Sequence, residues 1–268
     1  MGEDARAPTA GTFGSETGGG SRMGMTERHD KCLAMVDRYY AGVPTRDSLL
    51  DETVLAVIEA GHTLLDAGCG DTLLLLRRYA SKVSFAVGVD VVTPSVDRVD
   101  RTAVTLGDLS RLPFRDGAFD LVVSRSVVEH LEDPATVFSE LGRTLKPGGR
   151  LIFATPNKYY YSCLVALMIP YRWKAWYMRW MFGEDGYHHF PVFYRANTTR
   201  ALRLVARRAA LSVRSVRAVR HYPLYLMFSP VLFRLGMLYD WCVTALGLDF
   251  LQSNWLVVME RAGERRDG

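Results

Sequence analysis

The chain has 268 residues, 49% of them hydrophobic, and a formal net charge of +4. This length suits one large core or one domain with a sizeable insertion, and it argues against two full domains. The four cysteines lie far apart and include no Cys-x-x-Cys pair, so neither a zinc site nor a disulfide framework is indicated. A reducing cytoplasm is therefore the simplest predicted setting.

The first residues differ in composition from the rest. Residues 1–24 are rich in Gly, Ala, Ser and Thr and lack the apolar core of a secretion signal, which predicts a disordered tail before a single domain over 25–268. From Leu33 to Leu55, spaced apolar residues around Pro44 predict one or two helices.

Short apolar runs bounded by Gly, Asp or Pro then predict buried strands, with helices between them. The clearest helix is expected over 134–145, with Asp133 as its N-cap and Pro134 at its first position. This alternation predicts an α/β fold: a doubly wound, Rossmann-like, seven-stranded and mostly parallel sheet with helices on both faces. The predicted strands are 62–67, 84–90, 102–107, 119–124, 150–155, 211–219 and 255–260.

Two glycines and an acidic residue mark the end of the first predicted strand. The sequence there is Leu64-Leu65-Asp66-Ala67-Gly68-Cys69-Gly70-Asp71-Thr72, and Asp90 closes the next apolar run. Glycines allow a tight turn and a close approach of the backbone to a ligand. The pattern predicts a nucleoside-binding turn before a Leu-rich helix that Thr72 opens.

Dinucleotide binding is the alternative interpretation of this turn. That motif has a third glycine, which lets the helix pack closely on the strand. Here Leu73 occupies that position, and Asp66 stands before the first glycine. Both features disfavour NAD.

Further motifs follow the turn in order: Gly107-Asp108-Leu109, Leu112-Pro113-Phe114, Phe119-Asp120, Val128-Glu129-His130-Leu131 and Leu145-Lys146-Pro147-Gly148-Gly149. With Asp66-x-Gly68-x-Gly70 and Asp90, they resemble the class I S-adenosylmethionine-dependent methyltransferases, within them the broad small-molecule branch. The resemblance covers roughly residues 50 to 160. It implies S-adenosyl-L-methionine as the cofactor, with the helices before residue 55 capping its site.

The resemblance also implies roles for individual residues. Asp66 would reach toward the ammonium of the methionine moiety, Asp90 would accept hydrogen bonds from the ribose hydroxyls, and Asp108 would meet the adenine amino group. The backbone at Leu109 would contact the ring, and Ser126 would complete the floor. The full set of expected cofactor-binding residues is Asp66, Gly68, Cys69, Gly70, Asp90, Val91, Asp108, Leu109 and Ser126.

A hydroxyl acceptor would call for a general base, and histidine is the usual choice near neutral pH. His130 follows the fourth strand in the Glu-His-Leu motif and is the first candidate, although a positional role is the alternative. His188 and His189 lie beside aromatic residues, where a solvated or core-packed role competes with catalysis. No metal site is predicted, because His188, His189 and Asp185 lack a supporting ligand pattern.

An aromatic insertion is expected over about 158–195, after Thr155-Pro156-Asn157. We interpret it as a helical lid over an apolar acceptor pocket, with packing of a helical core as the alternative. Its aromatic residues are Tyr159, Tyr160, Tyr161, Trp173, Trp176, Tyr177, Trp180, Phe182, Tyr187, Phe190, Phe193 and Tyr194.

A second apolar segment, over about 222–252, is expected to form a helical excursion that packs against the lid. A transmembrane helix is disfavoured because the run is short and contains Pro230, Arg234 and Gly236. Peripheral contact with a membrane surface is a further option, since apolar helices flanked by arginine can lie in the interface.

Seven arginines between Arg200 and Arg220 occur without an acidic residue among them. A solvated helix face and an exposed edge strand would explain them, with Leu202, Leu204 and Val205 facing inward. The alternative is an anionic partner. Nucleic acid is not expected as a substrate. The predicted fourth strand ends in Ser124-Arg125-Ser126, whereas methyltransferases that act on base amino groups have a motif resembling Asn/Asp-Pro-Pro-Tyr at this position.

Together these features predict a methyltransferase acting on a hydrophobic small molecule, such as a lipid-linked or glycosylated natural product, at oxygen. The predicted location is cytoplasmic, with possible peripheral membrane contact. The alternatives are the same fold and cofactor running other chemistry, or a non-catalytic partner subunit. The sequence does not identify the individual acceptor molecule or the oligomeric state.

Overall fold

The computed structural model describes residues 19–97, 99–170, 172, 173, 176 and 190–263. Within them the chain forms one seven-stranded sheet in the order β3-β2-β1-β4-β5-β7-β6. All neighbouring strands are parallel except β7, which runs antiparallel to both β5 and β6. The strands are β1 Thr63–Ala67, β2 Phe85–Asp90, β3 Thr102–Leu106, β4 Phe119–Arg125, β5 Leu145–Pro156, β6 Leu211–Val219 and β7 Asn254–Arg261.

Helices cover both faces of the sheet, as predicted. On one face α4 and α6 pack through residues such as Phe138 and Leu202, and on the other α2 and α3 pack through Leu50 and Leu76. The helices are α1 Gly19–Tyr39, α2 Arg46–Leu55, α3 Leu74–Tyr79, α4 Pro134–Thr144, α5 Tyr161–Met168, α6 Thr199–Arg208 and α7 Pro230–Ala245.

Local sequence signals explain where several elements begin. Asp133 caps α4 by accepting hydrogen bonds from the amides of Ala135 and Thr136 at 3.1 and 3.3 Å. Thr198 caps α6 in the same way through the amide of Ala201. The predicted strands are all present, although β5 starts at Leu145, earlier than expected, because the chain pairs again with β4 directly after α4.

Two local expectations were wrong. Helix α3 starts at Leu74 and not at Thr72, because Leu73 adopts a left-handed conformation with φ of 52° and extends the turn. Leu204 is 51% exposed, whereas Leu202 and Val205 are buried. Residues three and four apart share a helix face, so a position two after Leu202 points outward.

The first and last α-helices of the described chain, α1 and α7, pack together. Cys32 of α1 contacts Phe233 of α7 and Met227 in a separate small cluster. Residues 19–24 were expected in the tail, but they form the start of α1, because a helix that already exists extends easily by further hydrogen-bonded turns. Residues 1–18 lie outside the described part. The apolar excursion contains α7, which meets the start of the predicted lid through Tyr239 and Tyr161.

The arginines between Arg200 and Arg220 divide into two groups. Most lie on exposed positions of α6 and β6, where Arg214 pairs with Glu260 at 2.7 Å. Arg220 differs, because it is half-buried and lies over the Tyr40 ring. Exposure to solvent on α6 and β6 therefore explains every arginine in this segment except Arg220.

Candidate functional site

The candidate site lies where the strand order reverses, between β1 and β4. The connection after β1 leads to β2 on one side of the sheet, and the connection after β4 leads to β5 on the other side. The two connections diverge and leave a crevice at the carboxyl ends of β1 and β4. The Ser124 hydroxyl of β4 donates a hydrogen bond to the Ala67 carbonyl of β1 at 2.7 Å and ties the two ends together. An ion pair between Arg125 and Asp47 at 2.6 Å holds the start of α2 over the same edge.

The turn after β1 is held by strand β2. The Gly68 and Cys69 amides donate to the Val89 carbonyl at 2.8 and 3.2 Å, and the Gly70 amide donates to Asp90 Oδ2 at 2.7 Å. Gly68 has φ of +83°, and a Cβ there would lie 2.2 Å from Val127 Cγ2. The turn and the end of β2 therefore form one unit.

Gly70 borders open space. Its φ is +65°, and a Cβ built on it would meet no atom within 4 Å. The two glycines of the turn thus have different requirements, since Gly68 is needed for close packing and Gly70 leaves room above the turn.

Asp66 is completely buried beneath this turn, and neither carboxylate oxygen has a hydrogen-bond partner among the described residues. Burial, with a smaller contribution from Asp90, raises the pKa of Asp66 to about 8, and the backbone amide of Leu76, although beyond hydrogen-bond geometry, opposes this only weakly. A buried carboxyl without partners is costly to keep, which is typical of a group that serves a ligand. Burial also raises the pKa of the neighbouring Cys69 thiol to about 12, so this cysteine stays protonated.

The other expected cofactor contacts lie along the carboxyl ends of β2, β3 and β4. Asp90 Oδ1 accepts the Val92 amide at 3.0 Å, and Val91 beside it is 63% exposed. Asp108 is exposed, and its Oδ1 accepts the Ser110 amide at 2.8 Å, while Leu109 is buried.

Ser126, at the end of β4, has φ of 58°. A positive φ in a residue other than glycine is strained and is common where a loop serves a ligand.

His130 follows this strand in a short 3-10 helix and is held by residues near the end of the predicted lid. Its Nδ1 lies 2.9 Å from the Pro191 carbonyl, and its ring contacts Phe190 edge-on. A carbonyl can only accept, so Nδ1 carries a proton, and in the neutral imidazole the lone pair then lies on Nε2. This tautomer is the one that a general base at Nε2 requires.

Glu129 is a functional candidate that the sequence interpretation missed. Its backbone carbonyl accepts the Phe193 and Tyr194 amides, and its buried carboxyl accepts the Thr155 hydroxyl at 3.1 Å. Burial raises the pKa of this carboxyl. The adjacent His130 motif was the available signal, but the motif alone does not show that Glu129 points inward.

A second missed group lies between α1 and α7. Asp240 is buried and accepts the Tyr40 hydroxyl at 2.8 Å, and burial raises the pKa of Asp240 to about 6. Arg220 stacks over the Tyr40 ring at 4.6 Å. Tyr40 and Asp240 are far apart in sequence, so no local pattern could have joined them.

Some of the predicted site residues lie outside the described part of the chain. His188 and His189 lie outside the described residues, as does most of the second half of the predicted lid. Across the described ranges, no group of three His, Cys, Asp or Glu side chains could hold a metal ion. No helix found in those ranges is long and apolar enough to cross a membrane.

Residues 65–153 match the family model described as a methyltransferase domain. A relative from Mycolicibacterium smegmatis, named "Probable S-adenosylmethionine-dependent methyltransferase", is 37% identical over 38% of this chain and 41% of its own length. The ubiquinone biosynthesis O-methyltransferase of Marinobacter nauticus is 31% identical over 47% of this chain and 56% of its own. The chain spans between 31% and 59% of the length of such curated relatives.

Solved structures share the fold. A chain in the Haloferax volcanii complex between the Trm112 methyltransferase activator and a methyltransferase aligns with a TM-score of 0.53 and 21% identity. The alignment covers 89% of this chain and 97% of that one. At this identity the likeness shows the sheet architecture alone, and the matched family segment spans β1 to β5, where the candidate site lies.

Proposed function

Because this chain belongs to the class I S-adenosylmethionine-dependent methyltransferase family, we propose that it transfers a methyl group from S-adenosyl-L-methionine to a hydroxyl of a hydrophobic small molecule. The observation that carries the proposal is the buried Asp66 carboxyl, which has no partner and lies under a glycine turn with open space above it. These residues fit a ligand that carries both a positive charge, which would pair with Asp66, and a nucleoside, which would occupy the space above the turn.

The residues along the sheet edge divide the work of holding the donor. We assign Asp66 to the ammonium, Asp90 to the ribose hydroxyls, Asp108 to the adenine amino group and the Leu109 backbone to the ring. Gly68, Cys69, Gly70, Val91 and Ser126 complete the set. When bound, S-adenosylmethionine supplies a methyl group already activated by its sulfonium charge, so the protein mainly positions the acceptor and excludes water.

His130 is the proposed general base. Its Nε2 would take the proton as the hydroxyl oxygen forms its new bond to the methyl carbon, and the bond between that carbon and sulfur breaks. The Pro191 carbonyl would stabilise the imidazolium through the Nδ1 proton. His188 and His189 remain candidates from the sequence.

A hydrophobic acceptor, such as a lipid-linked or glycosylated natural product, is supported by the aromatic cluster beside the site. Tyr160, Cys163 and Tyr194 are buried together, with Tyr161 and Tyr239 packed against them. The relative whose name specifies an O-methyltransferase supports oxygen as the receiving atom. We propose a cytoplasmic location, supported by four unpaired cysteines, with peripheral membrane contact.

Thermal unfolding with S-adenosylmethionine, S-adenosylhomocysteine and NAD tests the donor site. At about a hundredfold excess over the dissociation constant, binding adds roughly 2.7 kcal/mol and should raise the Tm by on the order of 5 to 10 °C. We expect this with both adenosyl ligands and not with NAD. No adenosyl shift would overturn the proposal in favour of a non-catalytic partner protein.

Methyl transfer is then followed with a labelled donor and matched apolar phenols, alcohols and amines. Product from the hydroxyl compounds supports O-methylation. Product from the amines alone would overturn the choice of oxygen. Donor binding without product from any acceptor would favour other chemistry on the same fold.

A further inference from the structure

Helix α7 is apolar on its outward side as well as on most of its inward side. Its inward side carries Asp240, which is 2% exposed, together with Phe233. Its outward side carries Val231, Leu235 and Leu238, which are 66%, 56% and 54% exposed. A surface helix in water is expected to bury its apolar side and expose its polar side.

The exposed apolar surface continues past α7. Trp241 and Leu246, at the margins of its outward side, are 62% and 70% exposed. Helix α5 joins it through the Tyr161–Tyr239 contact at 5.1 Å and exposes Val165 and Met168. We call the exposed apolar residues Val231, Leu235, Leu238 and Trp241 of α7, together with Leu246 directly after it, the outer face of α7. A continuous apolar surface of this kind marks an interaction site.

Positive charge borders the outer face. A cavity of about 400 Å³ opens between α1 and α7. Neither Arg38 nor Arg234 forms an ion pair within the described part of the chain, and Arg38 lies over the exposed Tyr39 ring. The residues lining this cavity, which we call the α1–α7 groove, are Ala34, Met35, Arg38, Tyr39, Arg234 and Met237.

A lipid surface matches this combination better than a second copy of the chain. Pairing two copies through the outer face would bring both Arg234 side chains toward one apolar interface, and α7 has no exposed acidic residue to pair with them. Anionic headgroups supply the missing negative charge, and acyl chains accept the apolar side chains. Tyr39 and Trp241 suit the boundary, since each has an apolar ring and a polar group.

We propose that the outer face of α7 and the α1–α7 groove dock the protein on an anionic phospholipid membrane. Helix α7 lies in the plane of the interface, its outer face contacts acyl chains, and Arg38 and Arg234 bind headgroup phosphates. A hydrophobic acceptor dissolved in that membrane then enters beside α5 and α7. This last step rests on the proposed function, whereas the docking does not.

Co-sedimentation of the full chain with lipid vesicles tests the docking. Wild type should pellet with vesicles of phosphatidylcholine and phosphatidylglycerol, bind phosphatidylcholine alone more weakly, and be released by salt. The double variant Leu235→Gln/Leu238→Gln should lose binding to both. Arg38→Gln/Arg234→Gln should bind the anionic vesicles roughly 30-fold more weakly, from about 1 kcal/mol per arginine.

Matched variants on α6 serve as controls, because Leu204 and Arg207 are also exposed. Leu204→Gln/Arg207→Gln should bind like wild type. All variants must keep the thermal shift with S-adenosylmethionine, which shows that they are folded and separates docking from donor binding. If the wild type binds vesicles but its Tm does not change with S-adenosylmethionine, the proposed function is wrong and the docking proposal still holds.

Two outcomes would overturn the docking. One is a wild type that stays in solution with anionic vesicles. The other is a dimer, seen by light scattering, that Leu235→Gln/Leu238→Gln converts to monomer, since a second copy would then cover the outer face.

Discussion

Asp66 shows how a single residue can be unfavourable for folding and favourable for binding. Its carboxyl is completely buried and has no partner in the described structure, so ionising it is costly in the ligand-free protein. The raised pKa of about 8 expresses that cost. A cationic ligand group would reverse it, because the negative charge would then gain a partner.

We predict that Asp66→Asn stabilises the ligand-free protein at neutral pH. A carboxyl whose folded-state pKa is raised favours folding most below its unfolded pKa and loses that contribution as pH rises from about 4 to about 8. The variant lacks this loss, so its advantage over wild type should grow by several kcal/mol across that range, at about 1.4 kcal/mol per pKa unit. Urea unfolding at several pH values measures it.

The same substitution should weaken donor binding. Wild-type affinity for S-adenosylmethionine should increase toward pH 8 as Asp66 ionises, and Asp66→Asn should bind more weakly with a flatter pH dependence. Asp100→Asn is the matched control, because Asp100 is exposed. Equal pH slopes in calorimetric titrations of wild type and Asp66→Asn would contradict the assignment.

His130 can be tested by separating its two ring nitrogens. In His130→Asn the amide nitrogen can still donate to the Pro191 carbonyl, but Nε2 is absent. We predict a kcat lowered about 10²- to 10⁴-fold with donor affinity unchanged. His130→Gln loses the Pro191 contact as well and should also raise the KM for the acceptor. Near-normal kcat in His130→Asn would mean that His130 only positions the end of the predicted lid.

At the scale of elements, the glycine turn joins β1 to the space above the sheet edge. Gly70 has a positive φ and an unobstructed Cβ position, so alanine there adds backbone strain and occupies space without a clash. We predict that Gly70→Ala lowers the free energy of unfolding by about 1 kcal/mol and weakens S-adenosylmethionine binding at least tenfold. Chemical denaturation and calorimetry give the two quantities separately.

Gly148→Ala provides the control for that strain. Gly148 has φ of +78° and no neighbour within 4 Å of its Cβ position, but it lies at the opposite end of the sheet. It should show the same stability cost and normal donor binding. If both variants lose donor affinity equally, the Gly70 effect comes from general destabilisation.

Elements with strong local signals were predictable from sequence. The buried strands and α4 follow from short apolar runs and the Asp133 cap, which depend on neighbouring residues alone. The start of α3 was not predictable, because the turn is set by the left-handed Leu73 and by contacts with β2. The order of motifs located the donor turn, but it gave no information on the packing of α7.

At the scale of the whole molecule, distant parts of the chain together cover the carboxyl edge of the sheet. The Tyr40–Asp240 hydrogen bond joins residues 200 positions apart. Cys32 and Met227 make a similar link. Such pairs form only once the sheet exists, which is why sequence patterns within short windows do not reveal them.

This arrangement predicts that α1 and α7 open together, separately from the sheet. Tyr40→Phe removes the hydroxyl that donates to Asp240, so a buried carboxyl whose pKa burial already raises to about 6 in the wild type loses one donor. A loss of about 1–3 kcal/mol should speed amide exchange in α1 and α7 by roughly 5- to 150-fold. Tyr39→Phe is the control, because Tyr39 is 53% exposed. Hydrogen exchange that accelerates equally in β1, β4 and β5 would mean that the two helices unfold only with the entire domain.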